Sequence, residues 1–305
     1  MEKMLNEIIK KNKIYAKDGR VTTYIPELAK ADPDALGIAI YDLQNNIFLA
    51  GDFETKFTIQ SVSKVIILAC ALIDQGKEIV FSKVGAEPSA DAFNSIVKLE
   101  TRDSHKPLNP FINAGAIVCT SLVNGNSGYE KFNRVFKTIK TMANNPTIKV
   151  NEQVFISEKF TGNTNRAIAY YLKGANIING DVEDVLDAYF KLCSVEVTVK
   201  DVAKMATIIA NNGIAPWSNE AILPVDICKV LKAIMMICGL YNASGEFAVN
   251  IGIPAKSGVG GCIMSVVPNK MGIAVIGPSL DENGNSVAGL KVLENLSKEL
   301  DLSIF

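Results

Sequence analysis

The sequence predicts an α/β fold of the α+β type: an antiparallel sheet built from both chain ends, flanking helices, and a helical lobe drawn from the middle of the chain. Strand signals gather near the two ends, and helical periodicity fills the interior. Neither terminal hairpin is expected to stand alone, because isolated two-stranded hairpins are marginal in water. Joining the two hairpins satisfies both. The sheet lobe is then expected at about 20–60 plus 240–305 and the helical lobe at about 65–238, within a single domain spanning 1–305.

The first hairpin is read from Leu36 to Asp42 (L-G-I-A-I-Y-D) and Ile47 to Gly51, which flank the polar turn Q-N-N. The apolar run Val65 to Ile73 is the length of a buried helix. From Tyr129 to Met142, Phe132, Val135, Phe136 and Ile139 recur on one helical face. Asp181 to Cys193 carries a similar stripe in Val182, Val185, Leu186 and Tyr189. Thr198-Val199-Lys200-Asp201 has the form of a capping box, and A-N-N-G is expected to stop that helix at Gly213. Val225 to Cys238 forms another helix, closed by Gly239. Gly261 to Pro268 and Met271 to Pro278 flank Asn269-Lys270 as the second hairpin, and the amphipathic segment Val287 to Leu300 ends the chain.

Composition narrows the function. Hydrophobic residues make up 48% of the 305, charged residues 21%, and the formal net charge is -1. The basic residues form no cluster larger than the N-terminal K-K-N-K, so neither nucleic acid nor a membrane surface is an expected partner. The start, M-E-K-M-L-N-E-I-I-K-K, lacks the uninterrupted apolar core of a signal peptide. Cys70, Cys119, Cys193, Cys228, Cys238 and Cys262 lie in apolar strings without C-x-x-C or zinc spacing. They read as buried free thiols, which suits a cytoplasmic protein. The one histidine, His105, lies in a polar turn and reads as a loop side chain. An enzyme that activates a hydroxyl with this chain would therefore use lysine or tyrosine as its base.

Residues 57 to 64 read F-T-I-Q-S-V-S-K, so Ser61 precedes Lys64 by one helical turn and V-I-I-L-A-C follows. This is either the start of an ordinary buried helix or a nucleophile with its base. Positions i and i+3 share a face, which would bring the Ser61 Oγ within reach of the Lys64 Nζ. Apolar surroundings would depress the lysine pKa toward the neutral amine a base needs. A second S-x-x-K, Ser95 and Lys98, leads into the solvated run L-E-T-R-D, which leaves its lysine charged. Pro254 to Gly261 (P-A-K-S-G-V-G-G) supplies K-S-G before the C-terminal hairpin, the strand partner of S-x-x-K in serine acyl-transfer enzymes of the penicillin-recognising type. Its glycines would let a substrate carbonyl approach the backbone, where an N–H completes an oxyanion hole. The expected S-x-N or Y-x-N is missing from the helical region; T-G-N at Thr161 to Asn163 is the nearest approximation.

Around Q-S-V-S-K the chain resembles the serine-dependent glutaminase family. The matching stretches are Y-I-P-E-L-A-K, P-F-I-N-A-G-A-I, S-E-K-F-T-G-N-T-N-R-A-I-A-Y-Y-L-K, L-C-S-V-E-V-T, C-G-L-Y-N-A-S-G-E-F-A and P-A-K-S-G-V-G-G, in order from about residue 20 to 295. The resemblance implies a β-lactamase/transpeptidase-like fold and hydrolysis of L-glutamine to L-glutamate and ammonia, without cofactor or metal. It further implies that Ser61 forms a γ-glutamyl ester, that Lys64 is the base and Tyr241 a proton shuttle, and that the backbone N–H groups of Ser61 and Val259 hold the oxyanion. Glu158 would meet the substrate α-ammonium, and Tyr24, Asn113, Asn165 and Tyr189 its α-carboxylate. Each has a bland alternative: Glu158 as a helix-start acid, Asn113 as a helix cap, Tyr24 and Tyr189 as half-buried packing aromatics. The family resemblance also implies a homodimer or homotetramer.

Two other functions compete. A β-lactamase or D-alanine carboxypeptidase relative is disfavoured by the missing S-x-N and the missing export signal. A non-catalytic amino-acid-binding relative is disfavoured by the retention of Ser61, Lys64, Tyr241 and K-S-G together.

Overall fold

A computed structural model describes residues 1–305 apart from Ala90, Asp91, Phe93 and Arg102, and apart from the side chain of Lys98. Helix α1 (Glu2–Asn12) precedes the hairpin β1 (Gly37–Asp42) and β2 (Ile47–Gly51). A short β3 (Phe57–Thr58) and a 3₁₀ turn, Gln60–Val62, lead into α2 (Ser63–Gln75). The middle holds α3 (Lys77–Lys83), α4 (Val97–Thr101), α5 (Asn113–Leu122), α6 (Gly128–Ala143), β4 (Lys149–Val150), α7 (Glu152–Thr161), α8 (Asn163–Gly174), α9 (Val182–Cys193), β5 (Val195–Val197), α10 (Val199–Ala210) and α11 (Val225–Cys238). The chain ends with α12 (Ser244–Asn250), β6 (Ala255–Ser257), β7 (Cys262–Val267), β8 (Met271–Ile276) and α13 (Val287–Leu300).

The main sheet has the order β2-β1-β8-β7-β6, and every neighbouring pair is antiparallel. The N-terminal and C-terminal hairpins meet where β1 pairs with β8, Ile38 opposite Val275. Both faces are covered, which explains the near-continuous apolar strands. Ile38 and Ile40 pack in one core with α1 and α13 residues, while Ala39 and Tyr41 face the larger core of the helical side. Helix α10 lies directly on that second face. A Cβ at Gly272 would overlap its backbone, and the Thr207 hydroxyl donates to the Tyr41 carbonyl at 2.8 Å. Helix α2 runs through the centre, with every residue from Ser63 to Leu72 buried, as an apolar helix without a polar face must be.

The capping box of α10 is present, with the Asp201 carboxylate accepting from the Thr198 N–H. The helix ends at Ala210 rather than Gly213. Gly213 has φ +98 and is pressed against the Leu223 carbonyl, so it belongs to the turn beyond the helix. A small second sheet, β3-β5-β4, ties the Ser61 segment to the end of α9. Its strands of two or three residues are too short to leave a period-2 signal. All six cysteines are free and buried. Among the described residues no single helix is long and apolar enough to cross a membrane.

Candidate active site

Ser61 is buried in the 3₁₀ turn before α2, not on the first turn of α2 as the spacing alone predicts. The separation comes from Gln60, whose φ of +47 reverses the chain just ahead of the serine. Such non-glycine conformations cost free energy and persist where the surroundings impose them. Here the surroundings are the segment after β6. A Cβ on Gly258 would approach the Ile59 carbonyl at 3.1 Å and the Ser61 nitrogen at 3.3 Å; one on Gly260 would lie 2.9 Å from the Thr58 carbonyl. The glycines of K-S-G-V-G-G therefore let this segment run against the backbone of residues 58–61. Val259 lies between them, buried, and no acceptor among the described residues is paired with its N–H.

Behind the serine lie two lysines, neither of them bonded to a carboxylate among the described residues. Lys64 is 1% exposed. Its Nζ donates to the Phe111 carbonyl at 3.1 Å and to the Asn113 Oδ1 at 2.8 Å, so the direct Ser61–Lys64 bond expected from i, i+3 spacing is not the one the amine makes. Burial pushes its pKa down to about 8, opposed by Cys193 and Glu158. Lys256, of K-S-G, is 0% exposed and donates to the carbonyls of Gly239 at 3.0 Å and Ser257 at 2.6 Å. Burial first, and then the neighbouring Lys64, hold it well below the usual lysine range. Its Nζ lies 4.1 Å from the centroid of the Tyr241 ring.

Tyr241 opens the turn Tyr241–Ala243 after α11, with φ +56. It is buried, and its hydroxyl is hydrogen-bonded to Ser61 and to the Ser257 carbonyl at 3.4 Å. Burial pushes its pKa up to about 12, while hydrogen bonding with the Ser61 and Ser257 side chains pulls it down. The structure thus brings Ser61, Lys64, Tyr241 and Val259 to one place from three parts of the chain.

The candidate substrate-recognition residues gather beside them. A cavity of about 60 Å³ is lined by Tyr24, Asn113, Glu158, Thr161, Gly162 and Asn165, among others. Glu158 is seven residues into α7 and 8% exposed, which removes the helix-start reading. Its Oε2 has no hydrogen-bond partner among the described residues. Burial raises its pKa to about 8, with Lys64 pulling it down. An ionised carboxylate buried with an open oxygen is costly, and the group answers that cost by holding its proton to higher pH. Asn113 is not a cap, because the N-cap position of α5 is Ile112. Its Oδ1 accepts from Lys64 at 2.8 Å and from the buried Tyr189 hydroxyl at 3.4 Å, and its Nδ2 donates to the Asn165 Oδ1 at 2.9 Å. Tyr24 is 52% exposed at the cavity rim.

Other candidates are otherwise engaged. The Ser63 hydroxyl donates to the Gln60 carbonyl at 2.7 Å. His105 bonds through Nδ1 with the Leu99 carbonyl and the Tyr171 hydroxyl, each at 2.9 Å. Of the second S-x-x-K, the Lys98 side chain lies outside the described residues, and the Ser95 Oγ accepts from the Val97 N–H. In the sequence K-S-G reads as a strand entry with close-packed glycines, and Lys256 has no part of its own there. A lysine inside an otherwise uncharged, Gly-rich strand entry is the signal that marks it.

The glutaminase family profile matches residues 19–305. The chain is 56% identical to the glutaminase of Clostridium tetani over all 305 residues, covering both chains completely. A probable glutaminase of Bacillus subtilis superposes with a TM-score of 0.94 at 38% identity, covering 100% of this chain and 97% of that one. A covalent complex of a Bacillus subtilis glutaminase with 5-oxo-L-norleucine, formed by reaction with 6-diazo-5-oxo-L-norleucine, superposes with a TM-score of 0.92 at 37% identity, covering 100% and 99%. The architecture of sheet and helices is that of the β-lactamase-like fold these proteins share, and the chain belongs to the glutaminase family.

Proposed function

We propose that this protein hydrolyses L-glutamine to L-glutamate and ammonia through a γ-glutamyl ester on Ser61. The observation that carries the reading is the abutment of two sites: a buried serine, amine and phenol beside a small polar cavity that holds an unpaired carboxylate. Neutral Lys64 takes the Ser61 proton as Oγ attacks the side-chain amide carbon. The N–H groups of Ser61 and Val259 hold the oxyanion. Tyr241 passes a proton to the leaving nitrogen, and ammonia departs. Water then attacks the ester with the proton path reversed, and glutamate leaves. Glu158 meets the α-ammonium; Asn113, Asn165, Tyr189 and Tyr24 surround the α-carboxylate. The family membership and the covalent adduct of the Bacillus subtilis relative support this chemistry. Ammonia and glutamate formation from L-glutamine by the purified protein tests it, and no product formation would overturn it.

The fixed distance between the two sites sets the substrate length. Asparagine anchored by the same α-groups falls one methylene short of Ser61, and a misplacement of about 1 Å costs on the order of 100-fold in rate. We expect kcat/KM for glutamine to exceed that for asparagine by at least about 100-fold. Similar values for both amides would contradict this placement of Glu158.

The titrations of Glu158 and Lys64, both near 8, predict the pH dependence. The two interact, so apparent values belong to the pair. A raised carboxyl pKa means that free Glu158 is largely protonated at neutral pH and must lose that proton to face an ammonium, so KM falls as pH rises toward 8. A lowered lysine pKa means that the base is active only in its deprotonated fraction, roughly one-tenth at pH 7. Initial rates from pH 6 to 9 are therefore expected to give kcat rising with a slope of about one in log units, and kcat/KM rising more steeply, both flattening above 8. A KM independent of pH across this range would show that Glu158 is already ionised in the free enzyme.

A further inference from the structure

Resting on the reading of Lys64 as the base, we propose that Asn113 is a positioning residue for that base, aiming the lone pair of the Lys64 amine at Ser61, in addition to any contact with substrate. A neutral amine has two N–H bonds and one lone pair at the corners of a tetrahedron. Among the described residues Lys64 has two acceptors, the Phe111 carbonyl and the Asn113 Oδ1. In the neutral amine both N–H bonds are consumed and the lone pair takes the remaining direction. An ammonium would have a third N–H and no third acceptor. The pair of acceptors therefore suits the neutral form and fixes how it points.

One of these acceptors is backbone at the entrance to α5; the other is the side chain two residues later, on that helix's first turn. Only the second is open to substitution. The Asn113 amide is itself held from both ends, its oxygen by Lys64 and Tyr189 and its nitrogen by Asn165. Its orientation is thereby set, since an amide turned over would present N–H groups to both donors. Asn113 also lines the cavity that Glu158 lines. One residue thus bonds the base and borders the candidate recognition cavity.

Other titratable groups also face Lys64. Glu158 from α7 and Cys193 from α9 raise its pKa, and it in turn lowers that of Lys256, the neighbour carried on β6. These are present in every Asn113 variant, so a change at Asn113 is read against a constant background.

The test is the pH profile of kcat at saturating L-glutamine for the wild type, Asn113→Asp, Asn113→Ala and Lys64→Ala. A carboxylate against the amine favours the ammonium, so Asn113→Asp is expected to move the acid limb of kcat up by about one pH unit or more. Asn113→Ala removes an acceptor, moves the limb down, and lowers the plateau of kcat by about 10- to 100-fold through lost aim. If the charged variant does not fold, Asn113→Ala carries the same readout with the opposite sign. A residue that only grips the substrate carboxylate would raise KM and leave the kcat plateau and its limb in place, and that result overturns the inference. Turnover retained in Lys64→Ala would instead overturn the reading of Lys64 as the base, so the two failures are distinguishable.

Discussion

Ser61→Ala is expected to lower ammonia release from L-glutamine by about 10⁴-fold or more, with the fold unchanged. Ser63, the other serine of the segment, is fully buried at the first residue of α2 and spends its hydroxyl on the Gln60 carbonyl. The turn that presents Ser61 is held by its backbone: the φ of Gln60 and the close approach of Gly258 and Gly260 do not depend on the serine oxygen. Loss of the hydroxyl thus removes the proposed nucleophile and one bond to Tyr241, at a stability cost of about 1 kcal/mol. Circular dichroism and thermal melting of the variant check the fold. Mass spectrometry after 6-diazo-5-oxo-L-norleucine checks the chemistry, with a covalent adduct expected on wild-type Ser61 and none on the variant. Turnover within tenfold of wild type would move the nucleophile off Ser61.

Much of the frame was legible because local rules and tertiary packing agree in it. The turns Q-N-N and Asn269-Lys270 separate β-branched runs, and both hairpins form there. The Thr198–Asp201 box caps α10, and the final amphipathic run becomes α13 over the same residues, Val287–Leu300. What was not legible depends on contacts distant in sequence. Nothing in F-T-I-Q-S-V-S-K reports that Gln60 takes a positive φ, and the glycine segment packed against that turn comes about 200 residues later. The i, i+3 argument for Ser61 and Lys64 takes them on one continuous helix, whereas Ser61 lies in the 3₁₀ turn before it and the amine bonds Phe111 and Asn113.

The candidate recognition residues illustrate the other limit. Glu158, Asn113 and Tyr189 are implied by the resemblance, and each has a bland reading that periodicity cannot remove. Burial separates the readings. A carboxyl buried with an oxygen that has no partner among the described residues has no packing purpose, and an asparagine at the first turn of a helix that bonds a lysine instead of the helix end is not acting as a cap. Lys256 is the converse case. Its charge pattern was visible in the sequence, but its placement over the Tyr241 ring, with two carbonyls as partners, is a property of the folded sheet edge.

That placement bears on the second large effect. Tyr241→Phe is expected to lower kcat by about 10²- to 10⁴-fold with a smaller change in KM. The ring is retained, so its packing under Lys256 and within the turn at φ +56 is preserved. Only the oxygen that bonds to both Ser61 and the Ser257 carbonyl is lost. A phenol whose pKa is pushed up to about 12 stays protonated at the working pH. In the proposed mechanism it gives that proton to the departing nitrogen and regains one from the water that opens the ester. Without it, the amide nitrogen must leave as a far poorer leaving group, so acylation becomes the slow step. Rapid-quench measurement is then expected to find the variant without accumulated γ-glutamyl enzyme. Accumulation of that ester would place Tyr241 in deacylation alone, and an unchanged kcat would assign the leaving-group proton to Lys64.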